Sequence, residues 1–304
     1  MTEDYSKGAA WIKGEIVPVS KAAIGVTDWG LTHSDIAYDV VPVWQGAFFR
    51  LPDYIARFLE SVESCRMSIE QSPDQIQLKL HDMVAKSGLR DAYVAMVASR
   101  GTPIIPGSRD PRDCANHFYA WCVPYIHVIK PKIAEAGARI WISSKIRRIP
   151  HDSVNPRAKN YHWGDFTQGL FEARDRNFDT VILEDHHGNV TEGPGFNVFA
   201  LKNGTIVTPL EGVLHGVTRR TVLEMAREQG LETLEGKLSV EELFEADEVF
   251  LSSSGGGVIP VSRICDRHFS NDAAGPVAMK LRKTYFKLLE DPCYRNEIDY
   301  GTFN

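Results

Sequence analysis

A lysine beside three aromatic residues is the first feature of this sequence that could carry out chemistry. Lys159 lies in the stretch SVNPRAKNYHWGDF, between a proline-containing turn and the side chains of Tyr161, His162 and Trp163. A lysine on a solvated face usually has charged neighbours, so this setting indicates the wall of a pocket. An amine held in a pocket can attack a carbonyl carbon or carry a proton.

The segment LHGVTRRTV, residues 214–222, could bind an anion. Gly216 would let the backbone approach a ligand closely. Val217 and Thr218 would open a helix, and the free N–H groups and dipole at a helix start favour a phosphate. An ordinary capped helix start would have the same sequence pattern.

Two glycine-rich segments add further candidates. FLSSSGGGVIP, residues 250–260, ends a strand with three serines and three glycines. This composition suits an anion-binding nest, although it also suits a flexible loop. In TEGPGFNVF, residues 191–199, Glu192 stands at a strand start before two glycines, which would leave room for a flat ligand. An exposed turn glutamate is the alternative.

Taken together, these segments fit pyridoxal 5'-phosphate better than any other ligand. Lys159 would form the Schiff base with its aldehyde. The helix start and the serine loop would take the phosphate, and Glu192 would keep the pyridine nitrogen protonated so that the ring acts as an electron sink. Leu214 could pack on the face of the ring.

The elements that must position these residues mix strands and helices without a regular strand–helix–strand repeat. This pattern favours an α+β fold of two lobes over a Rossmann sheet. The segment IHVIKPKIAEAG loses periodicity and carries a proline, so it predicts a connector. We therefore expect a small N-terminal α/β domain at 1–125, a connector at 126–137, and a larger C-terminal cofactor domain at 138–304 that ends in a helix.

Composition excludes several other classes of protein. The net charge of −6 and a pI near 5.9 argue against a nucleic-acid groove. The N-terminus has no apolar run after a basic start, and no stretch approaches the roughly 20 apolar residues that span a membrane. The five cysteines are odd in number and form no C-x-x-C pair, so we expect reduced thiols in a cytoplasmic protein and no structural zinc or other metal site.

The run from Lys159 through TEGPGFN, LHGVTRR and SSSGGG resembles the class IV aminotransferases, the branched-chain and D-amino-acid aminotransferase family of fold type IV. The resemblance covers nearly the whole chain. It implies a pyridoxal phosphate enzyme and a homodimer with sites near the subunit interface. It also implies that Lys159 is the Schiff-base lysine, that Glu192 is the partner of the pyridine nitrogen, and that the phosphate is bound by Arg57, Val217, Thr218 and Ser254, with Ser253 beside them.

The first lobe indicates the subgroup. Positions that carry arginines in branched-chain enzymes lack them here, and the Arg-x-His pair of D-amino-acid aminotransferases is also missing. The pattern instead resembles the (R)-selective amine transaminases, which accept amines without a carboxylate. The substrate-side residues that this resemblance implies are His33, Tyr38, Val40, Tyr93 and Ala95. Val40 and Ala95 would leave an apolar pocket, where burial of a methyl or aryl group is favourable.

Three more residues complete the predicted substrate site. Arg109, in the loop SRGTPIIPGSRDPRD, matches the mobile arginine with which the subgroup binds the carboxylate of a keto acid. A solvated loop arginine is the alternative. Trp163 and Phe196 either line the pocket or belong to the core.

The sequence therefore predicts an enzyme that moves the amino group of an (R)-primary amine to a keto acid such as pyruvate, with Lys159 transferring the proton. The alternatives are a D-amino-acid or branched-chain amino-acid aminotransferase and an aminodeoxychorismate lyase of the same fold. A metal-dependent hydrolase built on His151, His162, His186 and His187 is a further alternative, but the adjacent pair lacks the i, i+4 spacing of a helical metal site. A non-enzymatic binding protein would leave Lys159 without a role.

Overall fold

The structure is a computed structural model that describes residues 3–301. Helices and strands account for most of this range. The helices are α1 (Trp29–Thr32), α2 (Leu51–Ser64), α3 (Pro73–Ser87), α4 (Pro131–Ala136), α5 (Gly164–Asp175), α6 (Val217–Glu228), α7 (Val240–Phe244) and α8 (Pro276–Leu288). The strands are β1 (Ala9–Ile12), β2 (Glu15–Pro18), β3 (Ile36–Trp44), β4 (Ala47–Phe49), β5 (Ala92–Pro103), β6 (Cys114–Pro124), β7 (Ala138–Arg147), β8 (Thr180–Glu184), β9 (Glu192–Gly193), β10 (Phe196–Lys202), β11 (Thr205–Pro209), β12 (Glu232–Gly236), β13 (Glu248–Ser253), β14 (Gly257–Ile264), β15 (Arg267–His268) and β16 (Arg295–Glu297).

These elements form two compact units, each built on one sheet. The first unit holds the described residues up to Ile126 together with 158–161 and 289–301. Its antiparallel sheet has the strand order β16-β4-β3-β5-β6-β1-β2, and α2 and α3 pack against it. The second unit holds residues 127–157 and 162–288. The predicted α+β fold with two lobes is confirmed.

The sheet of the second unit is mixed. Its strand order is β12-β11-β10-β13-β14-β7-β8, with β9 paired to β10 and β15 paired to β14. The pairs β11–β12, β14–β7 and β7–β8 are parallel, and the others are antiparallel. Helix α5 packs on β7 and β8, while α6 and α8 pack on β13. Aliphatic side chains and two phenylalanines fill a core cluster of this unit.

Local sequence explains how the elements next to the candidate site begin and end. Helix α2 has a proline in its first turn and buries one apolar face, including Ile55 and Phe58. Helix α3 begins with a reciprocal capping box between Ser72 and Gln75. It ends at Gly88, whose φ of 72° is a left-handed conformation that glycine adopts without strain.

The division of the chain differs from the predicted one in three places. The C-terminal segment after α8 belongs to the first unit, because β16 pairs with β4. Residues 158–161 also belong there, because Asn160 forms a β-bridge with Ala37. The predicted connector at 126–137 contains helix α4 and lies mostly in the second unit. Between residues 3 and 301, none of the helices combines the length and apolarity needed to cross a membrane.

Candidate active site

Lys159 lies at the edge of β3 in the first unit. The N–H of Tyr38 donates to the Lys159 carbonyl oxygen at 3.0 Å, next to the bridge between Ala37 and Asn160. The Lys159 N–H donates to Ser61 Oγ at 3.1 Å. Its Nζ lies 4.5 Å from the centre of the Tyr38 ring. The main chain of the lysine is thus held on both sides, and its amine lies against an aromatic face.

Arg57 is held in place by a buried carboxylate. Its Nε and Nη2 donate to the two oxygens of Asp39 at 2.8 and 2.6 Å, and Asp39 is fully buried. Burial opposes the charged form, but the neighbouring Asp39 raises the pKa of Arg57. A bidentate pair of this kind fixes the plane of the guanidinium group. Arg57 is therefore a permanently charged and oriented cation, as an anion-binding role requires.

The predicted substrate residues Tyr38, Val40, Tyr93 and Ala95 share one face of the first sheet, since they alternate along β3 and β5. This apolar face also carries Ile36, Val97, Tyr119, Trp121 and Tyr161. The ring of Tyr161 lies 4.4 Å from that of Tyr38. Burial raises the pKa values of Tyr93 and Tyr119 to about 12, so both phenols are neutral donors at pH 7.

The loop arginines differ in their partners. Arg100 is buried, pairs with Asp35 at 2.8 Å and donates to two backbone carbonyls. Arg112 is exposed and pairs with Asp110. Arg109 is exposed, and its side chain forms no ion pair with any residue of the described range. Of the three, Arg109 is the one left available for a carboxylate.

His33 is the C-cap of the short helix α1. Its ring is exposed, stacks on Trp29 with centroids 4.5 Å apart, and has Nδ1 at 2.8 Å from Thr32 Oγ1. These local contacts account for its orientation. A substrate contact of His33 stays a prediction.

In the second unit, Glu192 belongs to a buried charged trio. Arg148 donates to Glu192 Oε1 from Nε at 3.3 Å and from Nη2 at 3.2 Å, and its Nη1 donates to Asp165 Oδ2 at 2.7 Å. The backbone N–H of Leu214 donates to Glu192 Oε2 at 2.9 Å. All three charged side chains are about nine-tenths buried. Glu192 is thus a buried carboxyl group held in one orientation, which suits a cationic ligand group.

The start of α6 is closely packed against the neighbouring strand β10. Gly216 is the N-cap, and a Cβ built on it would lie 2.4 Å from Asn197 Oδ1. Asn197 in turn donates from Nδ2 to the Leu214 carbonyl at 2.8 Å, which fixes the chain just before the helix. Val217 and Thr218 are the first helical residues and both are buried. The N-terminal turn of a twelve-residue helix favours an anion.

The serine and glycine loop is a tight turn between β13 and β14. Ser253 Oγ donates to the Gly195 carbonyl at 2.8 Å and accepts from the Gly255 N–H, while Ser254 is half-buried at the turn. Arg282 of α8 donates from Nη1 to the carbonyl oxygens of Gly256 and Val258 at 3.0 and 2.6 Å. These contacts make the turn a fixed element, which differs from the flexible-loop alternative.

Two predicted pocket residues have packing contacts. Phe196 is 4% exposed and belongs to the main core of the second unit. Its ring also fills the space beside Gly193, where a Cβ would lie 2.2 Å away. Trp163 packs edge-to-face on Phe166 at 5.4 Å and is partly buried. The contacts of Phe196 are those of a core residue, which was one of its two predicted alternatives.

Several contributing residues escaped sequence reasoning. Arg148 is one of a run of basic residues in SKIRRIP, which reads as a solvated stretch. Asp39 had a usable signal, because an acidic residue inside the apolar strand IAYDVVPVW needs a buried partner. Ser61 and Asn197 carried no such signal, since serines and asparagines are common in helices and turns.

Comparison with known proteins identifies a family for this chain. Residues 37–264 match the family model described as amino-transferase class IV. A putative branched-chain-amino-acid aminotransferase of Methanocaldococcus jannaschii is 29% identical over 90% of this chain and 94% of its own length. The branched-chain-amino-acid aminotransferase of Escherichia coli K12 is 26% identical over 91% of this chain and 92% of its own.

Solved structures give a similar result. The T.th. branched-chain amino acid aminotransferase, complexed with N-(5'-phosphopyridoxyl)-L-glutamate, superposes with a TM-score of 0.87 at 26% identity, over 96% of this chain and 99% of that one. The Thermobaculum terrenum enzyme in its pyridoxal phosphate form gives a TM-score of 0.85 at 25% identity, over 97% and 100%. This chain belongs to the class IV aminotransferase family.

Proposed function

We propose that this protein is a pyridoxal phosphate-dependent aminotransferase whose amino donor is a primary amine with apolar substituents. The observation that carries the proposal is the position of Lys159 beside the apolar face of the first sheet. The buried and oriented carboxyl group of Glu192 suits a protonated pyridine nitrogen. Arg57 and the start of α6 suit a phosphate. The residues present therefore fit the cofactor of this family.

When bound, pyridoxal phosphate supplies an electron sink that stabilises negative charge at the carbon next to the amine nitrogen. The residues of this chain do the rest. Glu192, oriented by Arg148 and the Leu214 N–H, would hold the proton on the pyridine nitrogen. The Lys159 amine would carry the proton away from the substrate carbon and return it to the cofactor side. The candidates for the phosphate are Arg57 in the first unit and the N-terminal turn of α6 in the second.

The apolar face supports this class of amino donor. Val40 and Ala95 are 5% and 0% exposed, and they face the same way as Tyr38 and Tyr93. Arg100, which lies on β5 itself, is buried and paired with Asp35. An apolar surface gains about 25 cal/mol for each Å² of apolar substrate it covers, and it offers a donor carboxylate no cation. We therefore favour an (R)-primary amine such as 1-phenylethylamine as donor.

The acceptor needs a different contact, because a keto acid such as pyruvate carries a carboxylate. Arg109 is the candidate, since its exposed side chain lacks the ion pairs that occupy Arg100 and Arg112. A cation on a loop can bind the carboxylate of the acceptor in one half-reaction and leave an apolar donor uncontacted in the other. Replacement of Arg109 by Gln should raise KM for pyruvate and leave KM for the amine unchanged.

A second substrate class is favoured by the relatives. The proteins from M. jannaschii and E. coli and the T.th. structure are all named branched-chain aminotransferases. These names support a branched-chain amino acid as donor more directly than they support an amine. The side chains of leucine and valine would also suit the apolar face.

A visible spectrum of the purified protein tests both classes. We expect a yellow band that bleaches with (R)-1-phenylethylamine and returns with pyruvate, and no bleaching with the (S)-amine. A band that ignores the amine and bleaches with L-leucine or L-valine would replace the amine by the branched-chain class. A protein that takes up no pyridoxal phosphate would overturn the proposed function as a whole.

A further inference from the structure

Ser61 links Lys159 to the helix that carries Arg57. It lies on α2 one turn after Arg57, and it is 1% exposed. Its hydroxyl donates to the Arg57 carbonyl at 2.9 Å. The same oxygen accepts the Lys159 N–H at 3.1 Å, across a sequence separation of 98 residues. One side chain thus touches the two residues that the proposed function places on the aldehyde and the phosphate.

The donated bond alone would be ordinary. A serine within a helix commonly donates to the carbonyl four residues earlier. The accepted bond is of another kind, because it satisfies a distant backbone N–H that no helix or sheet ladder takes up. On the other side of the residue, the Lys159 carbonyl accepts from the Tyr38 N–H at 3.0 Å. Without the hydroxyl, the Lys159 main chain would keep one of these two attachments.

Helix α2 is also held to β3 through the side chain of Arg57. Asp39 holds the Arg57 guanidinium with two bonds, and the N–H of Val40 donates to Asp39 Oδ1 at 2.7 Å. Asp39 and Tyr38 are neighbours on β3, so the strand contacts both Arg57 and Lys159. Ser61, on α2, provides a second connection between Arg57 and Lys159. All of these contacts lie within the first unit.

We propose that Ser61 is a positioning residue for Lys159, setting the direction of its amine relative to the cation of Arg57. This inference rests on the proposed function of Lys159. A lysine side chain is long and rotatable, so the place of its Nζ depends on a fixed main chain. Misplacement of a reacting group by about 1 Å can cost about 100-fold in rate.

Ser87 offers a matched control in the same unit. It is also buried, its hydroxyl donates to the Val84 carbonyl at 2.7 Å, and it accepts the Leu89 N–H at 3.2 Å. Ser61→Ala and Ser87→Ala therefore each remove one bond donated to a helix carbonyl and one bond accepted from a backbone N–H. The bonds of Ser61 hold Lys159, and those of Ser87 lie at the end of α3. A loss that is only structural should affect both variants alike.

Three measurements on the full chain loaded with pyridoxal phosphate separate these roles. The first is hydrogen exchange of the Lys159 amide, the second is the pH midpoint of the visible band of the lysine-bound cofactor, and the third is kcat and KM for the donor. For Ser61→Ala we expect exchange at Lys159 to be at least about tenfold faster, the midpoint to shift, and kcat to fall about 10- to 100-fold with KM little changed. For Ser87→Ala we expect none of these changes.

Ser61→Cys has nearly the same shape but a weaker acceptor, so it should give intermediate values and serves if Ser61→Ala does not fold. If the Ser61 variants match Ser87→Ala in all three measurements, the positioning role is overturned while the proposed function stands. If the wild-type protein shows no lysine-bound band, the proposed function is overturned and the role of Ser61 falls with it.

Discussion

Arg148 illustrates how one buried charge can hold a site. It is the cation of a trio with Asp165 and Glu192, and its guanidinium carbon also lies 4.2 Å from the centre of the Phe166 ring. Arg148→Met keeps the length of the side chain and leaves two buried carboxylates without their counter-ion. Loss of one partner of a buried pair costs about 3–5 kcal/mol. We expect a loss of this size in the free energy of unfolding, measured with urea, together with weaker binding of pyridoxal phosphate.

Arg147 provides the comparison for that variant. It is the preceding residue, and its side chain is one-third exposed. Its Nη2 lies 3.5 Å from Glu184 Oε2. Arg147→Met should cost about 1 kcal/mol or less, as partly solvated ion pairs usually do. Equal losses in the two variants would show that burial of the trio contributes nothing special.

His81 predicts a pH dependence of stability. Its Nε2 is buried without a hydrogen-bond partner in the described part of the chain, and its ring lies 5.0 Å from that of Phe48. Burial lowers the pKa of His81 below its usual 6.5, against the opposing effect of Asp82. The unfolded chain therefore takes up this proton at a higher pH than the folded protein. The contribution of neutral His81 to the free energy of unfolding is complete above pH 6.5. It is lost as the pH falls through the folded-state pKa of His81.

Urea unfolding at about pH 8 and about pH 5 measures this effect. We expect the wild type to lose more stability between the two values than His81→Leu, which cannot be protonated there. An identical pH slope in the two proteins would assign the acid sensitivity to other groups.

Single residues also mark the limit of prediction from sequence. Lys159, Glu192 and Gly216 stand in unusual local surroundings, which is why sequence alone singled them out. Arg148 and Ser61 do not, because what matters for them is a partner 44 or 98 residues away. The contacts between such residues exist only once the strands and helices have packed.

At the scale of elements, the start of α6 depends on the missing side chain of Gly216. An added methyl would meet Asn197 Oδ1 at 2.4 Å and Arg219 Cβ at 3.2 Å, and Asn197 is tied to the Leu214 carbonyl. Gly216→Ala should therefore cost about 1–3 kcal/mol, as overpacking does, and displace the first turn of the helix. Titration with pyridoxal phosphate should show weaker binding.

Gly236→Ala is the matched substitution, since the nearest atom to its added methyl would be 3.9 Å away. It should change stability by no more than about 0.5 kcal/mol and leave binding of pyridoxal phosphate unaltered. If Gly216→Ala behaves in the same way, the close packing of Gly216 against Asn197 is not required for stability or for binding of pyridoxal phosphate.

Some elements follow from local sequence, and others depend on tertiary partners. The apolar stripe of LPDYIARFLE accounts for α2, Gly88 for the end of α3, and the Gln45–Gly46 pair for the turn between β3 and β4. Strand β14 was hidden, because GGGVIP reads as a loop until it pairs with β13 and β7. Helix α4 was missed because six residues give too short a pattern for periodicity. Strand β16 has three polar residues and exists through its pairing with β4.

For the whole molecule, the homodimer implied by the family resemblance makes a prediction about solvent-exposed apolar residues. Ile104 and Ile105 are 73% and 53% exposed, and Val26 and Leu31 are 80% and 58% exposed. A contiguous exposed apolar patch often marks an interaction site, and Ile104 and Ile105 are adjacent in the sequence. The double variant Ile104→Asp/Ile105→Asp should shift the mass measured by light scattering from dimer toward monomer. An unchanged dimer would place the interface elsewhere, and Leu234→Asp, an equally exposed position on β12, is the control.

The chain passes between its two units four times, so the C-terminal segment should stabilise a unit that begins about 290 residues earlier. Arg295 donates to the carbonyls of Gln45 and Leu289 at 3.2 and 3.1 Å, and Tyr300 donates to the Leu89 carbonyl at 2.7 Å. A chain that ends after Glu290 loses these bonds and exposes the edge of β4. We expect the first unit to open at lower urea than the second.

Tryptophan fluorescence and limited proteolysis can follow the two units of this truncated chain separately. Cleavage should appear first in the first unit, for example between β3 and α2, while α6 and α8 stay protected. Because residues 158–161 also belong to the first unit, the shortened protein should lose the cofactor that we propose to be bound by Lys159 as that unit opens. A truncated chain that unfolds in one transition at the wild-type urea concentration would mean that β16 is a passive edge strand.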